Sequence, residues 1–446
     1  MDAAPAGWLN GLPMKLLVIG GGGREHALVW KLAQSPHATR IWCAPGNAGI
    51  AAERLLATGV PVECVPLAAD DLGGLVAFAA EQRPNLTVVG PDNPLALGIV
   101  DLFQRHGLRV WGPDQRAAQF ESSKVFTQNF MSVHGVPTAR AGTFLDPHAA
   151  KAFTRSLGGR CAVKADGLAL GKGVLLTRSP AEAEAAVDDL MVKRRFGRAG
   201  ERVVIQELLE GTEISLHALC DGCCVKLFPT AQDHKRIGDG DTGPNTGGMG
   251  TYSPAPFLTE DELLATAQQI LRPWQRGCHA EGIDYRGIIY PGVMLTADGP
   301  KVLEFNCRFG DPEAQVYLTR LESDLVELLD ACLTGTLDKL RLDWSARASV
   351  CVVMASAGYP ESPDKDAPIH GLEEAAALEQ VKIFHAGTAL HDGRVVTAGG
   401  RVLGVTAWGR TLAEARDRAY TAAGFIHFRG AQMRRDIGAQ ALGKGA

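Results

Sequence analysis

A nearly continuous apolar run, Met14-Lys15-Leu16-Leu17-Val18-Ile19, stops at four successive glycines, Gly20 to Gly23. A short apolar run without polar alternation reads as a strand buried on both faces, and the glycines then form the turn into a helix over about residues 24–34. Further strands are expected at residues 41–43, 86–89 and 109–111. Strands alternating with helices in this way argue a parallel sheet covered by helices, in which ligands bind beyond the carboxyl ends of the strands.

The chain is long enough, at 446 residues, for about three domains. With 46% hydrophobic and 21% charged residues it is not a disordered chain. It holds no uninterrupted apolar run of the roughly 18 residues a membrane helix needs, and its first dozen residues lack a secretory signal's basic start and apolar core. A cytoplasmic protein without a membrane partner is expected. Net charge is -5, from 45 basic and 50 acidic side chains, so the total charge does not draw the chain to nucleic acid. Small molecules are the expected partners.

Ten cysteines in such a chain read as reduced thiols. Cys220, Cys223 and Cys224 have the spacing of a redox or zinc pair, but no second pair or histidine cluster completes such a site. Asp221-Gly222 between the apolar runs 214–219 and 225–228 predicts a hairpin instead. Residues 1–13 show no period, which predicts a mobile extension before a fold that begins at Met14.

Gly20 to Gly23 lie at the first strand end, where bare amides backed by a helix amino terminus suit a phosphate. A dinucleotide fingerprint fails in two places. Its third glycine would fall at Glu25 or His26, and the second strand ends in Ala44-Pro45-Gly46-Asn47 rather than in a ribose-binding acid. A phosphate-bearing substrate fits better, with Asn47 and the Gly90-Pro91-Asp92 turn also at strand ends; a tight turn without a ligand stays open.

Chemical signals become dense between Ser122 and Gly335. A strand ending at Lys164 leads through Ala165-Asp166-Gly167-Leu168-Ala169-Leu170-Gly171-Lys172-Gly173 into a second strand at 174–177. The glycine spacing and the following strand reject a P-loop and leave a glycine hairpin able to fold over polyphosphate. Residues 203–213 form an apolar strand and an acidic turn, where backbone groups could read an adenine edge and a carboxylate could hold ribose hydroxyls; a solvated turn is the competing reading. In Lys301-Val302-Leu303-Glu304-Phe305-Asn306 the alternation puts Glu304 and Asn306 on one face, which suits Mg²⁺ as well as an ordinary polar surface. Arg308 follows, placed to hold a carboxylate or phosphoryl group or to form a structural ion pair. Asp311-Pro312 has the chemistry of a helix start, with the helix running to about Gly335. The stretch from Asp233 to Gly250 is too glycine-rich for regular structure and reads as a substrate loop or lid.

Together, MKLLVIGGGGREHAL, VKADGLALGKGV, QDHKRIGDGDTGPNTGGMG and KVLEFNCRFGDPEAQ, in that order, resemble the phosphoribosylamine-glycine ligases of the ATP-grasp superfamily. The resemblance runs from about Met14 to the carboxyl end. It implies an α/β fold: an amino-terminal doubly wound parallel-sheet domain that binds substrate (14–116), a central ATP-grasp region (117–339, with a lid at about 125–202) and a small carboxyl-terminal α+β domain (340–446). The implied reaction joins glycine to 5-phosphoribosylamine, with ATP going to ADP and phosphate through a glycyl phosphate, in the second step of de novo purine synthesis. A monomer using Mg²⁺ or Mn²⁺ is expected.

By the same resemblance Lys124, Lys164, Gly167, Gly171, Lys172 and Gly173 would meet the ATP phosphates, Gln206, Glu207, Leu208 and Leu209 the adenine, and Glu213 the ribose. Glu304 and Asn306 would hold the metal. Gly20, Gly21, Gly22, Gly23, Asn47, Pro91 and Asp92 would bind phosphoribosylamine, and Asp233, Lys235, Arg308, Gly310 and Asp311 would surround glycine and the reacting centre. The chain departs from the family pattern at Asp92, usually a glutamate, and at Pro291, where related ligases often carry a further acidic metal ligand. The carboxyl-terminal part, with strands at 349–354 and 401–408 and a capping box from Thr411 to Glu414, reads as a wall of the site. Rival readings are another ATP-grasp carboxylate-amine ligase, a dehydrogenase, and a nucleotide-binding regulator without turnover.

Overall fold

The computed structural model describes residues 13–168 and 173–443. Most of the expected amino-terminal extension, and Gly171 and Lys172 of the glycine hairpin, lie outside them.

Five parallel strands form the first sheet, in the spatial order Glu63–Cys64, Ala38–Pro45, Met14–Gly20, Leu86–Val89, Val110–Trp111. The apolar run of the central strand has a physical reason. Leu16 and Val18 point into one core and Leu17 and Ile19 into another, all four fully buried. Strand order reverses at Met14–Gly20, and in open sheets of this kind the carboxyl ends of the two strands at the reversal, here Met14–Gly20 and Leu86–Val89, are where ligands bind. The helix after the glycines runs Gly23–Leu32.

An antiparallel sheet of Ala141–Phe144, Val203–Glu207, Arg160–Ala165 and Val174–Arg178 follows, packed on the helices Pro147–Ser156 and Pro180–Val187. A second antiparallel sheet is built on the long strand Arg286–Thr296, with Gly299–Asn306 along one edge and Thr212–Ser215 and Ala218–Asp221 along the other. The run 214–219, expected as one strand, is therefore two. The hairpin at Asp221 forms as expected: the Asp221 carboxylate accepts the amides of Cys223 and Cys224 (3.0 and 2.6 Å), and all ten cysteines are free thiols.

The carboxyl-terminal sheet has the order Gln232–Asp233, Gly250–Ser253, Ala348–Ala355, Arg401–Gly409, Val381–His385. Two of its strands come from the ends of the glycine-rich stretch 233–250. That stretch is also more regular than its composition suggests, because Arg236–Gly238 pairs with Thr242–Asn245.

Two helix expectations are corrected. Helix Glu313–Leu318 begins after Pro312 without a side-chain cap, and the chain breaks before a second helix, Leu325–Thr334, capped by Asp324. Asp311 is drawn instead to Arg401 (3.0 Å) and accepts from Gln315 (2.7 Å). At Thr411 only half the capping box forms, since the Glu414 carboxylate turns to Arg410. Among the described residues no helix is long and apolar enough to cross a membrane.

Candidate active site

Strand alternation brings Glu304 and Asn306 to one face of Gly299–Asn306, and the two antiparallel sheets converge there. Burial alone would raise the Glu304 pKa. The positive charges of Lys235, Lys164, Lys124 and Arg308 outweigh it and hold the carboxyl below its usual range. Lys164, from Arg160–Ala165, donates to the Leu303 carbonyl (2.8 Å), and burial brings its pKa down to about 8 despite the attraction of Glu304. Lys124, at the first position of helix Lys124–His134, donates to the Gly167 carbonyl (3.0 Å), where Gly167 has a φ of 138° that favours glycine. Burial also opposes the charge of Lys235, but its ion pair with Glu213 and the field of Glu304 raise its pKa well above the ordinary lysine value. Thus four cations surround one strand end, an arrangement made for a polyanion.

A divalent ion fits this strand end. Asn306 donates from Nδ2 to the Tyr290 carbonyl (3.4 Å), which fixes its amide so that Oδ1 is the acceptor, shared with Arg308 at 3.3 Å. Among the described residues no cluster of three or more His, Cys, Asp or Glu could hold a metal. Glu304 and Asn306 are the side chains here that could offer oxygens to such an ion, a small donor set of the kind that leaves most of the shell to phosphate and water. Across the sheet Gly292 stands opposite Glu304 and Pro291 opposite Phe305.

Val203–Glu207 ends at the turn expected to read adenine. Gln206 is buried and bonds Gln128 (2.8 Å), while the Glu207 carboxylate accepts the Arg140 amide (2.9 Å). The amides of Glu207 and Leu208 bond the carbonyls of Arg140 and Arg160 (2.9 and 3.1 Å); among the described residues no carbonyl takes the Leu209 N–H. Gly173 closes the other hairpin by accepting the Ala165 amide (2.8 Å).

The strand-end turn differs from the expected phosphate cradle. Glu25 reaches back to accept the Gly22 N–H (2.6 Å) and pairs with Arg24 (2.6 Å), whose guanidinium also bonds the Phe309 carbonyl (3.0 Å). One amide and the nearest cation are therefore already engaged. Asn47 is likewise committed, its oxygen capping Gly49 and Ile50 and its nitrogen donating to the carbonyls of Gly21 and His385 (2.9 and 2.8 Å). Pro91 stands at the amino end of the short helix Asp92–Ala96, and Asp92 accepts the Asn93 amide (2.9 Å) while its charge acts on Arg308.

Arg308 pairs with Glu121 (2.6 Å), and its pKa is raised by Glu121 and Asp92 against the opposing effect of burial. Gly310 donates to Nε2 of His217 (3.3 Å), a buried ring stacked on Tyr290 and held neutral by burial. Asp233 is pushed well above the usual carboxyl range by burial and by Glu313, against Lys235 and Arg401, so it is the acid here best suited to carry a proton. Asp311 stays low, because Arg401 and Arg24 outweigh its burial.

Several partners in the site were not expected: Glu25, Glu121, His217, Arg401, and Glu313, whose carboxylate accepts from the hydroxyls of Tyr290 (2.6 Å) and Ser215 (3.1 Å). Glu25 alone had a local signal, an acid three residues into a helix after a glycine turn. The others meet the site across long separations in sequence, which no spacing encodes.

Three family models match the chain: the phosphoribosylglycinamide synthetase N domain over residues 14–121, its ATP-grasp (A) domain over 122–314 and its C domain over 349–440. A phosphoribosylamine–glycine ligase of Yersinia pestis is 50% identical over 437 residues, covering 97% of this chain and all of the relative. The crystal structure of the Thermotoga maritima phosphoribosylamine–glycine ligase superimposes with a TM-score of 0.80 at 33% identity, over 95% of this chain and 100% of that one. The biotin carboxylase domain of Hydrogenobacter thermophilus 2-oxoglutarate carboxylase shares the fold, with a TM-score of 0.72 at 14% identity over 94% of this chain and 92% of its own.

Proposed function

The chain belongs to the phosphoribosylglycinamide synthetase family, and on that premise we propose that it is an ATP-dependent ligase joining glycine to 5-phosphoribosylamine to give glycinamide ribonucleotide, ADP and phosphate, in purine biosynthesis. The observation that carries this reading is the convergence of Lys124, Lys164, Lys235 and Arg308 on Glu304, beside a strand-end crevice.

A carboxylate is a poor electrophile, so glycine is activated by attack of its carboxylate oxygen on the γ-phosphoryl group. ADP leaves and glycyl phosphate forms; the amine of phosphoribosylamine then displaces phosphate. The protein contributes position and charge. Lys124 and Lys164 lie on the phosphates with Gly167 and Gly173 at the ends of the hairpin beside them, the Leu209 amide, which no carbonyl among the described residues takes, reads the adenine edge with Gln206, Glu207 and Leu208 framing it, and Glu213 takes the ribose once Lys235 turns to phosphate. Mg²⁺ or Mn²⁺ held by Glu304 and Asn306 would neutralise charge on the transferring group. Arg308 holds the carboxylate or the acyl phosphate, with Gly310 and Asp311 beside it. Asp233 stands at the reacting centre, and the proton the amine releases leaves with the displaced phosphate.

On the sugar side, the Gly20 to Gly23 turn, Pro91 and Asp92 take phosphoribosylamine, and Asn47 serves by fixing the Gly21 carbonyl. The enzyme works as a monomer, which sedimentation would check. Phosphate release from ATP and Mg²⁺, with glycine and freshly generated phosphoribosylamine supplied separately and together, tests the whole. Release that needs both supports the reading, and release with another amine acceptor overturns the substrate.

A further inference from the structure

Arg401 lies on Arg401–Gly409 in the carboxyl-terminal sheet, far in sequence from every residue given a chemical role. Its guanidinium nevertheless faces the site. Nη1 donates to the carbonyls of Gly247 (2.6 Å), Gly248 (3.4 Å) and Asp311 (2.5 Å), while Nη2 meets the Asp311 carboxylate at 3.0 Å. One planar group thus joins two arms. One is the turn that follows Lys235 and the Arg236–Gly238 hairpin; the other is the segment after Arg308 that carries Gly310 and Asp311.

The turn is built around the fork. A Cβ on Gly247 would lie 3.0 Å from the Arg401 guanidinium carbon, and one on Gly248 would lie 2.7 Å from both Asp233 and Pro312. Tyr359 completes the seat by accepting the Gly247 N–H (3.0 Å). The carboxylate of Asp233 also feels Arg401, so both acids of the substrate face are tied to this one cation. Arginine suits the place because its donors are fixed in a plane and can serve two acceptor sets at once; a lysine ammonium presents a point charge and cannot span them.

We propose that Arg401 is a positioning residue of the ligase: it sets the distance between the 247–248 turn and Asp311, and so aligns the glycine and phosphoribosylamine sides without touching ATP. The inference rests on the proposed reaction. Its test therefore begins with the intact wild-type chain, in which phosphate release must require both glycine and the amine; if it does not, the reaction is wrong and Arg401 is not yet in question.

With that requirement met, kcat and the three KM values are measured for Arg401→Gln, Arg401→Lys and Tyr359→Phe, each with a circular-dichroism melt. Arg401→Gln is expected to raise KM for glycine and phosphoribosylamine about tenfold or more and to lower kcat, with KM for ATP within about twofold. Arg401→Lys should recover part of the loss, since it restores charge but not the fork, and Tyr359→Phe should raise the same two KM values a few-fold. Unchanged KM values for both substrates, or an equal rise in KM for ATP, overturn the proposal. Should Arg401→Gln fail to fold, wild-type KM values in both Arg401→Lys and Tyr359→Phe overturn it equally.

Discussion

Two regions of the enzyme were expected to meet phosphate, and they are built in opposite ways. The cleft around Glu304 is an electrostatic site, where four cations and two acids gather from different elements and remain only partly satisfied by one another. The Gly20 to Gly23 turn is a closely packed site, its Gly22 amide and nearest arginine already engaged by Glu25, Gly21 pressed against the Gly46 backbone and the other three glycines against side chains. Glycine content alone therefore does not tell the two kinds of site apart. The convergence of several cations on one strand end from separate elements is the better sign, and substitutions should separate the two regions: changes in the cleft remove activity and leave the fold, whereas changes in the turn weaken the fold first.

The largest effect tests the cleft. Glu304→Ala is expected to lower kcat by about 10²- to 10³-fold, the usual loss when one preorganised electrostatic group at developing charge is removed, with the thermal midpoint moved by only a few degrees. A steady-state assay at saturating ATP and metal, beside a melt of the same sample, checks it. If the protein unfolds instead, the cleft is a structural ion cluster and the contrast collapses.

The turn is tested by Gly21→Ala. Its added Cβ would stand 2.5 Å from the Gly46 carbonyl oxygen, and both partners are backbone, so neither can yield by a rotamer change. A loss of about 1–3 kcal/mol is expected, as for other overpacked sites, measured by urea titration. In the folded fraction KM for phosphoribosylamine should rise, since the proposed crevice uses this turn, while KM for ATP stays unchanged.

The same contrast explains what could be read from the sequence. Residues 16–19 announce a strand because burial on both faces demands an unbroken apolar run, and Glu304 with Asn306 announce a shared strand face because period two is local. The break between Glu313–Leu318 and Leu325–Thr334 was hidden by continuous helix-like spacing of apolar residues, although Asp324 caps the second piece. Arg401 and Arg434 were invisible for another reason. Each acts across a long separation, Arg434 pairing with Asp241 at 2.6 Å to hold the Arg236–Gly238 hairpin, and a lone arginine in a strand or loop carries no mark of its partner.

A pH titration of wild type against His385→Asn probes the turn next, because His217 in the cleft is also held neutral by burial. Beside the turn, His385 donates its backbone N–H to Nδ1 of His26 (2.7 Å), His26 bonds Glu53 (2.9 Å), and the His385 carbonyl holds Asn47. Burial lowers both histidines, His385 to about 3. A base whose folded pKa lies below its unfolded value of about 6.5 stabilises the fold above that value and loses the contribution as pH falls. Each such histidine should remove about 1.4 kcal/mol for every pH unit below 6.5 until its folded pKa is reached. Melts between pH 7.5 and 5.5 should show this fall, and His385→Asn should make it shallower; an unchanged slope would place the acid sensitivity elsewhere.

The smallest effect lies where the two regions meet. Asp92 follows the Leu86–Val89 strand, is half-exposed, and is tied mainly to its own neighbour Asn93, yet its charge is felt by Arg308. Asp92→Glu adds one methylene and brings the carboxylate nearer the cation and the sugar crevice. Interactions between partly exposed charges are worth about 0.2–1 kcal/mol, at most about fivefold in affinity. KM for phosphoribosylamine should therefore fall by a factor of about two to five, with KM for ATP and the melting point unchanged. A shift in KM for ATP instead would show that the Asp92 charge acts through Arg308 on the cleft, which would make the turn and the cleft one electrostatic unit.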